Sequence, residues 1–271
     1  MKKYICGVDE AGRGAIAGDV YAAAVILDDN ILIDGIMDSK VLTANQRSKL
    51  YTLIIDNCIA YGIGVATVNE IAKFNILNAS MLAMKRAVLI TINQILKKVF
   101  LNENSDTHLN SNDNNDNNDN HDILSNIIDA ILIDGNVAPY FDIIDHNVID
   151  NLEQIQNHNY LLDNNNHNNN IFKHLNCYNN ELLNKLSRPI IKGDVNVMQI
   201  SAASILAKVA RDNYMIQLDT KYPDYQFIKH KGYYTKLHKE KIQQYGVLTK
   251  LHRASFAPVR QCLTPELPLL F

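Results

Sequence analysis

Short apolar runs recur along the chain and limit what it can build. "YICGV" (4–8), "VYAAAVIL" (20–27), "YGIGVATV" (61–68), "DAILIDGN" (129–136) and "RPIIKGD" (188–194) are brief and punctuated by glycine, as buried or half-buried strands are. Helical periods lie between and after them. "TANQRSKLYTLIIDNCIAYG" opens with Thr43 as N-cap, lines up Leu50, Leu53, Ile54 and Cys58, and is expected to stop at Gly62. "ILNASMLAMKRAVLITINQILKKVF" (76–100) repeats the period with Leu77, Met81, Met84 and Val88, and its lysines gather at the end favoured by the helix dipole. "QISAASILAKVARDNYMIQLD" (199–219) adds a third helix whose small residues allow close seating on a sheet. The alternation predicts a mixed α/β architecture with helices covering a central sheet.

Two asparagine-dominated tracts interrupt this pattern. Residues 102–122 hold six acids and no Lys or Arg around "SNDNNDNNDN", and about 150–184 hold four acids and one lysine around "DNNNHNNN". Their apolar content is too low to offset the entropy of ordering them, so both are expected to be disordered surface insertions in one domain spanning 1–271. Their acids also mask the charge of the remainder. The whole chain carries −3, yet from Lys185 to Phe271 fourteen Lys or Arg stand against six Asp or Glu. A basic surface of that kind commonly faces phosphates, and about 220–271 reads as a basic helical region.

At 271 residues and 47% apolar content the chain can bury a real core. Cys6, Cys58, Cys177 and Cys262 are scattered without a C-x-x-C pair, which indicates neither zinc nor a disulfide framework and suits a reducing, cytoplasmic setting. No apolar run reaches membrane-spanning length, so no membrane partner is expected.

The acids carry the chemistry. Asp9, Asp134 and Asp194 are each expected to close a strand, where ligand sites in such sheets lie, with Glu10 beside the first. One acid after a strand is ordinarily a turn residue or a cap. Several together repel one another unless a cation joins them, and all-oxygen ligation points to Mg²⁺ or Mn²⁺.

In order, "GVDEAGRG" (7–14), "DSK" (38–40), "NILNASMLAMKRAV" (75–88), "LIDGN" (132–136), "KGD" (192–194), "ISAASILAKVARD" (200–212) and "HKGYYT" (230–235) resemble bacterial ribonuclease HII over nearly the whole chain outside the two tracts. The resemblance implies a ribonuclease H-like fold with a helical C-terminal region, forming a single catalytic domain. It also implies hydrolysis of the RNA strand in RNA–DNA hybrids, and incision of DNA 5′ to embedded ribonucleotides. Asp9, Glu10, Asp134 and Asp194 map onto the family's acidic tetrad, which works with two metal ions and leaves 3′-hydroxyl and 5′-phosphate ends. Asp212 competes for the fourth place but is expected to lie mid-helix. In this family the Gly12-Arg13-Gly14 turn reads the 2′-hydroxyl, which fits glycines that let a backbone approach a sugar. Tyr233 resembles the family tyrosine that stacks on the adjacent deoxyribose. Thr235 is expected to cap a basic helix whose lysines track the backbone, and Lys40 and Arg47 are further phosphate candidates.

The related ribonuclease HIII carries an extra N-terminal domain, which is not expected here because eight residues precede Asp9. The chain departs from the family where prolines commonly occupy the positions of Ala15 and Asp19, and in "GYYT". A monomer is expected. The alternatives are a catalytically impaired hybrid-binding protein and a different two-metal nuclease of the same fold.

Overall fold

The computed structural model describes residues 3–28, 30, 33–36, 42–106, 124–141 and 180–263, without the side chains of 100–106. Lys40, Cys177, most of both asparagine-rich tracts and the terminal "PELPLLF" lie outside the described residues. Five strands form one mixed sheet: β1 (Tyr4–Ala11), β2 (Val20–Leu27), β3 (Cys58–Ala66), β4 (Ile128–Asp134) and β5 (Ser187–Ile190), in the order β3-β2-β1-β4-β5. The β1–β2 and β2–β3 pairs are antiparallel, whereas β1–β4 and β4–β5 are parallel. This confirms the expected α/β class with a mixed sheet between helices.

Helices cover both faces. α1 (Ala44–Asn57) and α2 (Val68–Asp106) precede β4, and α3 (Asn180–Leu186) leads into β5. After β5 come the short α4 (Gly193–Asn196) and the long α5 (Met198–Lys221). A 3-10 turn (Pro223–Tyr225), α6 (Phe227–His230), α7 (Lys236–Tyr245) and α8 (Ala257–Leu263) make the C-terminal region helical. On one face α2 packs Ala83, Met84, Ala87 and Val88 against Cys6, Val8, Ala22 and Ala24; on the other, α1 and α5 pack Leu50, Ile54, Ala203 and Leu206 against Ala11, Ala23 and Val25. The period-two alternation of β1 thus sends Cys6 and Val8 to α2, and Gly7, Asp9 and Ala11 to α5. Among the described residues no helix is long and apolar enough to cross a membrane.

Several boundaries differ from the sequence expectation. Thr43 does cap α1 through a capping box with Gln46, but the helix ends at Asn57 and Gly62 lies inside β3. Gly62 is a packing position: a Cβ there would stand 2.4 Å from the Ala87 carbonyl oxygen of α2. The second helix starts earlier, at Val68, and bends at Asn75, whose φ of 66° breaks the helical path while its side chain accepts from the Asn78 amide. Its first amide, that of Val68, donates to the half-buried carboxylate of Asp19 at 2.9 Å, giving Asp19 a role that proline could not fill. Leu53 and Leu77, expected on apolar faces, are exposed. Residues 180–184 are helical within the second tract, and the Asn184 amide bonds both the N–H and the C=O of Phe141, at 2.7 and 2.8 Å.

Gly7 sets how near α5 comes to the sheet, because an added Cβ would lie 2.1 Å from the Gln199 carbonyl carbon and 2.4 Å from the Ile200 nitrogen, both backbone atoms that cannot rotate away. Gly7→Ala is therefore expected to lower stability by about 1–3 kcal/mol, the ordinary cost of overpacking. Urea unfolding checks this; a midpoint equal to wild type would show that α5 is free to shift.

Candidate active site

Val8 of β1 faces Ile133 of β4 in parallel register. One residue further along both strands, the pleat turns Asp9 and Asp134 to the α5 side, since Val8 and Ile133 point into the α2 core. Asp9 was expected to close its strand but lies inside it, because β1 continues to Ala11. Asp134 does end β4. Asp194 does not end a strand: β5 stops at Ile190, and Asp194 sits buried in the first turn of α4. Its backbone N–H donates to Asp134 Oδ1 at 3.3 Å, and its carbonyl accepts from Ser201 Oγ at 2.6 Å. Asp212 lies mid-helix and pairs with Lys208 at 2.6 Å.

Asp9 is 6% exposed. Burial, then the charges of Glu10 and Asp134, push its carboxyl well above the usual range, while hydrogen bonds from Ser204 and the Glu10 amide oppose the shift. Glu10 is also pushed up, chiefly by burial, although Arg13 bonds it at 3.0 Å. Among the described residues, no three His, Cys, Asp or Glu side chains close into a ready-made metal cage. The donor set still fits a hard divalent cation. Its oxygens are carboxylate, a cation would offset the repulsion around Asp9, and Mg²⁺-like ions keep waters and take substrate phosphate oxygens to complete their shell.

Beside the acids runs the loop from Gly12 to Asp19, where two buried arginines missed by sequence reasoning hold the backbone. Arg253 donates from Nε to the Gly18 carbonyl (2.8 Å) and from Nη1 to those of Gly12 (2.8 Å), Arg13 (3.1 Å) and Ala15 (2.6 Å). Arg211 donates to the carbonyls of Asp19, Lys231 and Ala17 at 3.0–3.2 Å. Burial pushes the Arg253 guanidinium down to about 9, still above neutrality, so the charge remains. Gly12, at φ 96°, has Arg211 where a side chain would stand, with Nε 2.0 Å from an ideal Cβ. The space at Gly12 thus belongs to the protein itself, and Gly14 is the open glycine, with a Tyr233 ring carbon 3.9 Å from its ideal Cβ.

Tyr233 is half-buried, its ring flanked by Arg211 (5.4 Å) and Lys208 (5.9 Å) from one turn of α5. Thr235 caps α7 as expected, accepting from the His238 amide, and Lys236 and Lys239 of that helix are exposed. Arg47 is not brought to the acids by any bond described: it sits on α1 and donates to the Leu42 carbonyl. Lys40 falls outside the described residues. Arg211 stood in the quoted "KVARD" block, but no local pattern shows that a guanidinium will bind backbone carbonyls.

The family model described as Ribonuclease HII matches residues 6–259. The chain is 38% identical to ribonuclease HII of Laribacter hongkongensis over 263 residues, covering 97% of this chain and 96% of the relative. It is 39% identical to ribonuclease HII of Colwellia psychrerythraea, with 96% and 90% covered. In fold it is similar to the ribonuclease H2 of Pyrococcus horikoshii, at 21% identity, 96% coverage of both chains and a TM-score of 0.52.

The raised carboxyl of Asp9 has a sign that stability measurements can read. Between the ordinary carboxylate range and the raised value, the folded protein holds a proton that the unfolded chain has lost, so stability falls as pH rises through that window. Asp9→Asn removes this penalty. In metal-free buffer the variant is expected to melt a few degrees above wild type at about pH 8 and close to wild type at about pH 4. An equal offset at both pH values would assign the effect to packing.

Proposed function

The chain belongs to the ribonuclease HII family and is a ribonuclease H, and on that premise we propose that it cuts the RNA strand of RNA–DNA hybrids and incises duplex DNA 5′ to an embedded ribonucleotide. The observation that carries the reading is the buried Asp9 beside Glu10 and Asp134, next to a rigidly held Gly12–Gly14 turn. A cutting group and a backbone surface suited to a sugar lie side by side.

In this reading Asp9, Glu10, Asp134 and Asp194 hold two Mg²⁺ or Mn²⁺ ions. When bound, these supply activation of a water and stabilisation of the leaving 3′ oxygen, which leaves 3′-hydroxyl and 5′-phosphate ends. Ser204 fixes Asp9 by its hydrogen bond, and the Asp194 amide fixes Asp134, so the carboxylates are oriented before substrate arrives. The exposed Arg13–Gly14 backbone senses the 2′-hydroxyl, and Arg13 is half-exposed toward a phosphate. Tyr233, opposite Gly14, stacks on the next deoxyribose and favours an RNA-to-DNA junction. The exposed lysines of α7 add phosphate contacts. The substrates are thus hybrid and ribonucleotide-containing DNA, and one catalytic unit, working as a monomer in the cytoplasm, suffices for this chemistry.

The test is cleavage of a DNA duplex bearing one ribonucleotide with Mg²⁺ or Mn²⁺, beside all-DNA and all-RNA duplexes. Incision 5′ to the ribonucleotide is expected only in the first, and Asp134→Asn is expected to be slower by roughly 10²-fold or more. Tight hybrid binding without incision would instead indicate a binding protein, and cutting of all-DNA duplex a different nuclease. Tyr233→Ala is expected to reduce cleavage at a single ribonucleotide about tenfold relative to a continuous hybrid.

A further inference from the structure

Three buried histidines, His230, His238 and His252, lie behind Tyr233 and take no part in the chemistry above. Their hydrogen bonds have one direction. The Leu248 N–H donates to His252 Nδ1 at 2.9 Å, so the proton of His252 sits on Nε2; the Leu248 carbonyl, at 3.3 Å from the same Nδ1, is the longer contact. Nε2 then donates to His238 Nε2 at 3.1 Å, and His238 Nδ1 donates to the Tyr233 carbonyl at 3.0 Å. On its other side the Tyr233 N–H donates to the His230 carbonyl at 2.9 Å, and the His230 ring stacks on His238 with centroids 4.0 Å apart. Burial pushes His252 down to about 4 and His238 to about 3, so both rings stay neutral, and the hydrogen bonds above select which nitrogen of each carries the proton.

The next residue ties this relay to the loop. His252 pairs with Ala17 in an isolated antiparallel bridge, Gly18 N–H donates to the Leu251 carbonyl at 2.8 Å, and Arg253 N–H donates to the Ile16 carbonyl at 2.8 Å. The Arg253 side chain holds four further loop carbonyls. Adjacent residues therefore grip the two nucleotide-facing parts, His252 reaching Tyr233 through His238 and Arg253 reaching Gly12–Gly18. Apolar side chains could fill the volume of the three histidines without the cost of buried polar groups, whereas histidine rings bonded at both nitrogens fix one geometry.

We infer that His238 and His252 are positioning residues that hold Tyr233 at a set distance from the Gly12–Gly14 turn and thereby set selectivity for an isolated ribonucleotide over a continuous hybrid. This rests on the reading of Tyr233 and the turn given above. The experiment measures kcat/KM on a single-ribonucleotide duplex and on a continuous RNA–DNA hybrid, and takes their ratio for the full-length protein and its variants. His238→Leu is expected to lower the ratio roughly tenfold, as Tyr233→Ala does. His238→Asn, whose Nδ2 stands where Nδ1 stood, is expected to restore it to within about threefold. In a Tyr233→Ala background His238→Leu is expected to add nothing, because it acts through that side chain.

A folded His238→Leu with the wild-type ratio, or losses that add in the double variant, would overturn the proposal. If His238→Leu does not fold, His252→Asn keeps an acceptor for the Leu248 N–H, loses the donor to His238, and is judged by the same ratio. Nitrogen-15 NMR must also find the proton on His238 Nδ1 and on His252 Nε2; the opposite tautomers reverse the relay and refute it. Failure of the underlying reading looks different: wild-type protein that does not incise at the ribonucleotide, or Tyr233→Ala with an unchanged ratio, removes the role of Tyr233 and the proposal with it.

Discussion

Parallel pairing of β1 with β4 is the constraint on which the site depends, because it carries an acid from near the start of the chain to the height of one near its middle. Val8 opposite Ile133 leaves the next residues of each strand, Asp9 and Asp134, side by side on the face that α5 covers. A slip of one residue would turn one carboxylate into the α2 core. The arrangement is unfavourable in itself, since burial and mutual repulsion disfavour the charged form of Asp9. It persists because the strands are fixed by apolar packing on both faces, and because Ser204 and two backbone amides meet the carboxylates with hydrogen bonds.

α5 does several jobs at once. Gly7 lets its first turn lie directly on β1, which brings Ser204 to Asp9; two turns later Arg211 fills the space at Gly12, and Lys208 flanks Tyr233. A single helix thereby relates the acids, the loop and the Tyr233 ring. The C-terminal segment closes the arrangement from the other side. Arg253 binds backbone carbonyls without a carboxylate among the hydrogen-bond partners described, so its charge is spread over the oxygens of the loop. Buried polar groups of this kind contribute geometry more than stability.

Local chemistry made much of this readable in advance. The apolar runs place all five strands, Thr43 and Thr235 mark helix starts, and the small residues of "ISAASILAKVA" announce a helix that seats closely on a sheet. Errors arose where a residue's local meaning yielded to packing. Gly62 reads as a helix stop but is where α2 approaches β3. Asp194 reads as a strand end, yet "KGD" turns into a short helix after Ile190.

Sequence by itself determined the class of fold, the acids and their sequence blocks, and the basic character of the C-terminal third, because these follow from residue type and short-range period. Tertiary structure alone decided which strand faces of β1 and β4 meet, that Arg211 and Arg253 hold the loop, and that three histidines back Tyr233. The Arg253–Gly12 bond joins residues 241 apart in the chain. No periodicity reaches across such a distance: register and hydrogen-bond direction are fixed only when the packed layers bring donor and acceptor together.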